Sequence, residues 1–343
     1  MEKGVKMATI DDVAKLAGVS IATVSRVFNN SPWVSEKTRE KVLKAAEELG
    51  YKPSMPARSL AMKKTNTIGL IVPDISNPYY AEVVRGIEDV CNIYKYNIIL
   101  CNADNKREKE FQYIEMLKNR WVDGIIFHCD YFSEEHYEIF KNSNIKVVLA
   151  GRTTKFNVPY VGIDNFKAAY DAVSYLISLG HKRIGIIHGP LDDMKETIDS
   201  VDRLKGYKQA LVDNGLTIYE ELIKEANFKY KGGYKAAMEM LKGEITPTAI
   251  FAISDIMAMG AINAIFDSGL SCPEDVSVIG FDNIDLSEAT RPPLTTVSQP
   301  MYEIGAIAAR MLIKIISGEK VEEAQVILRH KLVLRNSVIS VKE

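Results

Sequence analysis

The sequence contains no apolar run near the ~18 residues that a membrane-spanning helix needs. Its longest runs, such as Ile68–Val72, are the size of a strand. The first six residues, MEKGVK, carry no hydrophobic stretch of the kind that directs secretion, so a cytoplasmic protein with no membrane partner is expected. Cysteine is scarce. Cys91, Cys101, Cys129 and Cys272 stand apart, without the paired spacing of a disulfide framework or a zinc site. They are expected to be reduced thiols filling hydrophobic positions. Enzyme signatures are missing too: no Gly-rich dinucleotide fingerprint follows a strand, and no phosphate loop or Gly-x-Ser-x-Gly elbow occurs. The five histidines form no His-x-x-x-His pair or other ligand cluster, and read as surface or cleft residues. No metal, cofactor or catalytic residue is therefore expected.

What is present is ordinary in bulk and uneven in charge. With 343 residues, 47% hydrophobic and 26% charged, the chain is long enough for two or three domains. Its net charge of −2 hides an asymmetry: residues 1–64 carry twelve Lys and Arg against seven Asp and Glu, a net +5, which leaves −7 for the rest. A basic head on an acidic body implies that the head alone meets a polyanion.

The head reads as three short helices. Thr9-Ile-Asp-Asp12 fits a capping box at a helix start, and Ile10, Val13, Leu16 and Ala17 then recur at helical spacing. Gly18 suits a tight turn. Ser20 is a second N-cap, and Ile21–Phe28 form a second helix, so the pair has the layout of a helix-turn-helix. Val24, Val27 and Phe28 share its inner side. Ala22, Ser25, Arg26 and Asn29 fall on the outer side, with Ile21 at the leading edge. A small outer face with one guanidinium is what a groove-reading helix needs. Ser35 caps a third helix whose core face is Val42, Ala45, Ala46 and Leu49, and Gly50 ends it.

The run Thr9–Asn29 (TIDDVAKLAGVSIATVSRVFN) closely resembles the headpiece of the LacI/GalR family of repressors, and Tyr51–Leu60 (YKPSMPARSL) resembles that family's hinge helix. The resemblance implies that Ile21, Ala22 and Arg26 read bases in the major groove. It implies that Thr9, Ser20, Thr23, Asn29 and Thr38 contact phosphates. Leu60 would wedge into the minor groove at the centre of a palindromic site, with Ala57 and Arg58 beside it. An apolar wedge kinks DNA by unstacking a base step, and two wedges placed together require a homodimer.

From Thr67 onward, strand-like runs alternate with helical stretches: Ile68–Val72, Ile98–Cys101, Gly124–His128 and Lys146–Ala150, then Arg183–His188, Ala249–Ile253 and Val276–Phe281. Such alternation means parallel sheets flanked by helices, here in two Rossmann-like subdomains with a cleft between them. The family resemblance extends over this region and implies a periplasmic-binding-protein-like body. It places three chain crossings near 163, 292 and 327. The expected domains are a headpiece at 1–53 and a hinge helix with linker at 54–66. The first core subdomain would take 67–163 with 293–326, and the second 164–292 with 327–343.

Several positions match the family's cleft residues. Asn77, Tyr79 and Tyr80 open the first helix of the body, where free amides can hold an anion or hydroxyl. Arg203 sits where the family keeps an effector-binding arginine. Asp255 and Asp282 follow strand ends, where a carboxylate can accept sugar hydroxyls, and Phe228 suits stacking on a ring. The set implies a sugar or sugar-phosphate effector. Within the family, the segments from Gly86 to Leu100 and from Gln299 to Lys314 are similar to the carbon-catabolite-control branch, whose members work with serine-phosphorylated HPr as a protein corepressor. Arg310 and Lys314, one helical turn apart, would then hold the phosphoserine, and Met301 and Tyr302 would pack on the partner's apolar patch. Arg203 and a long stretch after Gly189 follow the sugar-responsive members instead. A single-pathway sugar-responsive repressor without HPr therefore stays open as a reading. A sugar-binding protein and a sugar-processing enzyme are the readings from other classes.

Overall fold

The computed structural model describes residues 8–28, 31–51, 64–120, 122–129, 132–143, 145–191 and 199–341. The chain divides into a headpiece, up to residue 65, and a body from residue 66. Asn29 and the expected hinge positions Ala57, Arg58 and Leu60 lie outside the described residues.

The headpiece is set by its caps. Helix α1 (Ile10–Ala17) starts on a complete capping box: Thr9 Oγ1 accepts from the Asp12 N–H at 3.3 Å, and the Thr9 N–H donates to Asp12 Oδ2 at 2.9 Å. Gly18 ends it at φ 66, where a side chain would be strained. Helix α2 (Ile21–Phe28) follows Ser20, whose Oγ accepts from the Thr23 N–H at 3.1 Å. Helix α3 (Glu36–Glu48) starts on Ser35 in the same way. The three share a core of Val13, Ala14, Val24, Val27, Val42, Ala45 and Ala46. Leu16, expected on the inner face, is 47% exposed instead. It lies roughly 110° round the helix from the centre of the stripe made by Ile10, Val13, Ala14 and Ala17.

The body opens with β1 (Thr67–Val72), α4 (Pro78–Ile93), β2 (Asn97–Asn102), α5 (Arg107–Asn119), β3 (Gly124–Phe127), α6 (Glu134–Lys141), β4 (Lys146–Ala150) and β5 (Tyr160–Ile163). The chain then crosses into α7 (Asn165–Ser178), β6 (Ile184–His188), α8 (Asp199–Asp213), β7 (Ile223–Glu225), α9 (Tyr230–Leu241), β8 (Ala249–Ala252), α10 (Asp255–Asp267), β9 (Ser277–Asp282), α11 (Leu286–Ala289) and β10 (Thr295–Ser298). It returns through α12 (Met301–Ser317) and β11 (Gln325–Leu328), and crosses again to β12 (Lys331–Val333).

The first sheet has the order β11-β5-β4-β3-β1-β2 and is parallel throughout. The second has the order β12-β10-β9-β8-β6-β7, with β12 alone antiparallel to its neighbour. Inner strands such as β3, β6 and β8 are buried along their whole length. Helices cover both faces, so these strands read as continuous apolar runs rather than alternating ones.

Two of the expected crossings move. Thr295 pairs in register with Ile279, so β10 still belongs to the second sheet, and the chain returns to the first after Ser298 rather than at 292. Gln325 pairs with Tyr160, so β11 completes the first sheet through Leu328, beyond the expected boundary at 326. Both short strands are edge or near-edge additions whose pairing is a tertiary choice.

Candidate DNA-reading face and body cleft

On α2 the inner residues Val24 and Val27 are sealed, at 0% and 1% exposure. Ile21, Ala22 and Arg26 are exposed on the other side, with Thr23 and Ser25 intermediate. The outer face is thus small, polar and singly charged. The hydroxyls near it are already in use locally. Thr9 Oγ1 donates to Asp12 Oδ2 at 2.7 Å, so its one proton is committed to the cap. Ser20 and Thr23 share a hydrogen bond of 2.9 Å, as do Ser35 and Thr38. In each of these pairs one hydroxyl donates to the other, which leaves one O–H per pair to offer outward.

In the body, the residues of interest gather where the strands of both sheets end. In a doubly wound sheet this is where ligands sit, because the loops there splay apart. Asp74 follows β1, His128 follows β3 and Gly151 follows β4, while Gly189, Phe228, Asp255 and Asp282 end or follow strands of the second sheet. Lys229, just after Phe228, forms an ion pair with Asp74. The two sets of strand ends therefore face each other across one cleft.

Asn77 caps α4 by accepting the Tyr79 N–H on Oδ1 at 3.1 Å, so its side chain already satisfies one of the amides at that helix start. Tyr79 and Tyr80 close edge-on around His128, with ring centroids 5.5 and 4.8 Å away. His128 itself was not singled out from the sequence. It is 3% exposed, and burial, helped by the nearby Arg152 charge, pushes its imidazole down to about 3. It is thus a neutral polar group on the first-subdomain wall. Gly151 allows this packing, since a Cβ there would stand 2.2 Å from the imidazole Cε1. The end of the run Gly124–His128 was the one signal that could have revealed it, as the last residue of a buried strand.

Arg203 is buried at 6% exposure. Its guanidinium lies 3.7 Å over the Phe281 ring, donates from Nε to Asn165 Oδ1 at 2.8 Å, and donates from Nη1 to the Ile253 carbonyl at 2.7 Å. These contacts use two of its five N–H groups and fix the plane of the fork. Phe228 adopts φ 55 and lays its ring on Gly189, where a Cβ would come within 2.2 Å of the ring.

Asp255 departs from the expected role. It is 0% exposed, Oδ1 accepts from Thr296 Oγ1 at 2.5 Å, and Oδ2 accepts from the Ile284 N–H at 2.9 Å. Burial, followed by the charge of Asp282, holds its carboxyl well above the usual carboxylate range. Asp255 therefore braces the turn after β9 against β10 and offers nothing to a ligand. Asp282 stands at φ 116 and accepts from Gln299 Nε2 at 2.8 Å, which ties the second crossing to β9.

On α12, Arg310 and Lys314 are exposed one turn apart. Tyr302 is 36% exposed, and its hydroxyl donates to Asp89 of α4 at 2.9 Å. Met301 differs from expectation. At 9% exposure it belongs to the core, because the first turn of α12 is pinned against α4.

Four of the five histidines, His128, His136, His181 and His188, are buried rather than on the surface, and His128 takes the cleft setting that was the other expectation. No group of three or more potential metal ligands occurs among the described residues, and no helix among them is long and apolar enough to cross a membrane.

Residues 65–336 match the family of periplasmic binding proteins and sugar binding domain of LacI family, and residues 9–54 match the bacterial regulatory proteins of the lacI family. The chain belongs to the LacI family. As a LacI-family protein it is similar to catabolite control protein A of Priestia megaterium, at 47% identity over 96% of this chain and 98% of the relative. Its fold matches the Lac repressor dimer bound to operator and the anti-inducer ONPF with a TM-score of 0.85, at 28% identity over 97% of this chain and 100% of that one. It also matches the transcriptional regulator CelR in complex with cellobiose, with a TM-score of 0.72 and 32% identity over 96% of this chain and 99% of that one. The LacI-family chain is therefore a DNA-binding transcription regulator close to the carbon regulators, and its relatives are regulators rather than enzymes.

Proposed function

We propose that this regulator acts in the cytoplasm as a homodimer on a palindromic operator and controls genes of carbon metabolism. Its body answers to serine-phosphorylated HPr on α12 and to a sugar or sugar phosphate in the cleft. In the headpiece, Ile21, Ala22, Ser25 and Arg26 read base edges, while Thr9, Ser20, Thr23, Asn29 and Thr38 lie along phosphates. The hinge positions Ala57, Arg58 and Leu60 supply the minor-groove contact. In the cleft, Asn77, Tyr79, Tyr80, Arg203, Phe228 and Asp282 form the effector site, and His128 joins them.

One observation carries the partner. Arg310 and Lys314 are exposed cations on one face of α12, and neither takes part in an ion pair or hydrogen bond among the described residues. Two unpaired cations a turn apart suit a phosphoserine, whose oxygens form strong charge-assisted hydrogen bonds. A ligand or partner acts by binding one body conformation better than the other, which shifts the population that can hold DNA.

A second reading has support of its own. The fork of Arg203, set on Phe281 and Asn165, is prepared for a ligand in the cleft, and the cellobiose complex of CelR shows a sugar held by a full-length relative. A sugar-responsive repressor of one pathway needs no HPr.

Titration of the purified protein with serine-phosphorylated HPr and with a panel of sugars and sugar phosphates, read as operator affinity, separates the two. Tighter operator binding with phosphorylated HPr, lost in Arg310→Glu, is the expected result. A response to a sugar alone, with no response to phosphorylated HPr, assigns the single-pathway role instead.

A further inference from the structure

We propose that the Lys229–Asp74 ion pair is a latch that biases the two subdomains of the body toward closure when no ligand is bound. The partners are 155 positions apart in the chain. They stand at the carboxyl ends of opposite sheets, Asp74 just past β1 and Lys229 at the start of α9. Contact between them exists only while the cleft is narrow.

The carboxylate is built to hold two things at once. Asp74 Oδ1 accepts the Ser76 N–H at 3.0 Å and the Ser76 hydroxyl at 2.6 Å, which fixes the turn leading into α4. Oδ2 takes the Lys229 ammonium. The turn therefore keeps its shape whether or not the lysine is in place, and the acceptor is already oriented when the cleft closes. Lys229 is anchored from the other side. Immediately before it, Phe228 is kept at φ 55 by packing of its ring on Gly189, so the root of the lysine belongs firmly to the second subdomain. The side chain of Asp74 is 16% exposed and that of Lys229 50% exposed, an intermediate setting in which Coulomb attraction is only partly screened. Asp104, itself paired with Lys109 at 2.5 Å, lies close enough to repel Asp74.

A half-exposed ion pair shifts an open–closed equilibrium by about two- to fivefold. That is enough to set the resting population and too little to prevent a ligand from resetting it. The latch is a property of the free body and stands or falls independently of which effector or partner the regulator uses.

The test uses the full-length protein without sugar or phosphate, carrying spin labels at Lys106→Cys and Lys231→Cys, exposed positions in the rims of the two subdomains. The four native cysteines are buried, so the labels go to the introduced thiols. Pulsed dipolar spectroscopy of the parent, Lys229→Ala, Asp74→Asn, the double variant and Lys229→Arg reads the populations, and thermal melts confirm that each is folded. Both single variants are expected to raise the ratio of the long-distance to the short-distance population by about two- to fivefold. The double variant should match either single one, and Lys229→Arg should match the parent. An unchanged distribution in Lys229→Ala overturns the latch. So does a further change on adding Lys229→Ala to Asp74→Asn, because the lysine would then act through some other group.

Discussion

Gly86 of α4 and Gly305 of α12 sit in notches of each other's backbone. A Cβ at Gly86 would stand 2.1 Å from the Tyr302 carbonyl oxygen, and one at Gly305 would stand 2.0 Å from that of Val83. Glycine inside a helix costs about 0.5–1 kcal/mol relative to alanine, so both positions oppose local helix propensity in favour of close approach. The Tyr302–Asp89 hydrogen bond spans the same contact. The exposed side of α12, with Arg310 and Lys314, is therefore held in register with α4 rather than free to slide.

Gly305→Ala should destabilise the protein by about 1–3 kcal/mol, the usual range for overpacking, although alanine is the better helix former. Chemical denaturation of the variant and the parent measures it. Equal or greater stability in the variant would show that the two helices can separate at little cost.

His128 should make the body acid-sensitive. Its folded imidazole is pushed down to about 3, whereas in the unfolded chain it titrates near its ordinary value of 6.5. The unfolded state therefore binds the extra proton first. The contribution of His128 is fully present above pH 6.5 and is lost progressively as pH falls toward 3, with a slope of about 1.4 kcal/mol per pH unit for one such group. His128→Gln, neutral at every pH, should flatten the decline in stability between pH 6.5 and 5. Parallel stability–pH curves for the two proteins would mean that the imidazole is reached by solvent.

The thiols should be inert in the folded protein. Cys91, Cys101, Cys129 and Cys272 are all buried, and burial pushes Cys91 and Cys272 up to about 12. A thiol needs its thiolate form to react. A disulfide reagent should modify none of the four in native buffer within minutes and all four after denaturation. Rapid reaction of any one without denaturant would contradict the closed packing around it.

Much of this was legible in the residues themselves. The capping box at Thr9 and Asp12, the turn at Gly18 and the two faces of α2 are local events, governed by neighbours three or four positions away, and they stand as the sequence implies. The long apolar strands at 68–72, 124–127 and 146–150 were equally plain, because strands buried on both sides need apolar residues throughout. Leu16 and Met301 depart from expectation for different reasons: Leu16 sits off the centre of the apolar stripe of α1, whereas Met301, which the family resemblance put on a partner's apolar patch, is covered by packing within the body. The short strands β5, β7, β10, β11 and β12 lie at or next to a sheet edge and lack the uninterrupted buried run that marks the equally short β3 and β8. Their existence depends on an adjacent strand that offers hydrogen bonds.

The sequence by itself determined the helix-turn-helix, the basic head on an acidic body, the doubly wound class of the two subdomains, and the exposed pair Arg310 and Lys314. Each follows from short-range periodicity or from charge that solvent readily accepts. Only the tertiary structure decided that Asp255 is a brace, that His128 stands in the cleft wall between two tyrosines, that the chain returns after Ser298, and that Lys229 reaches Asp74. Those outcomes depend on groups far apart in the chain, and no local pattern encodes which distant partner will satisfy a buried carboxylate, imidazole or strand edge.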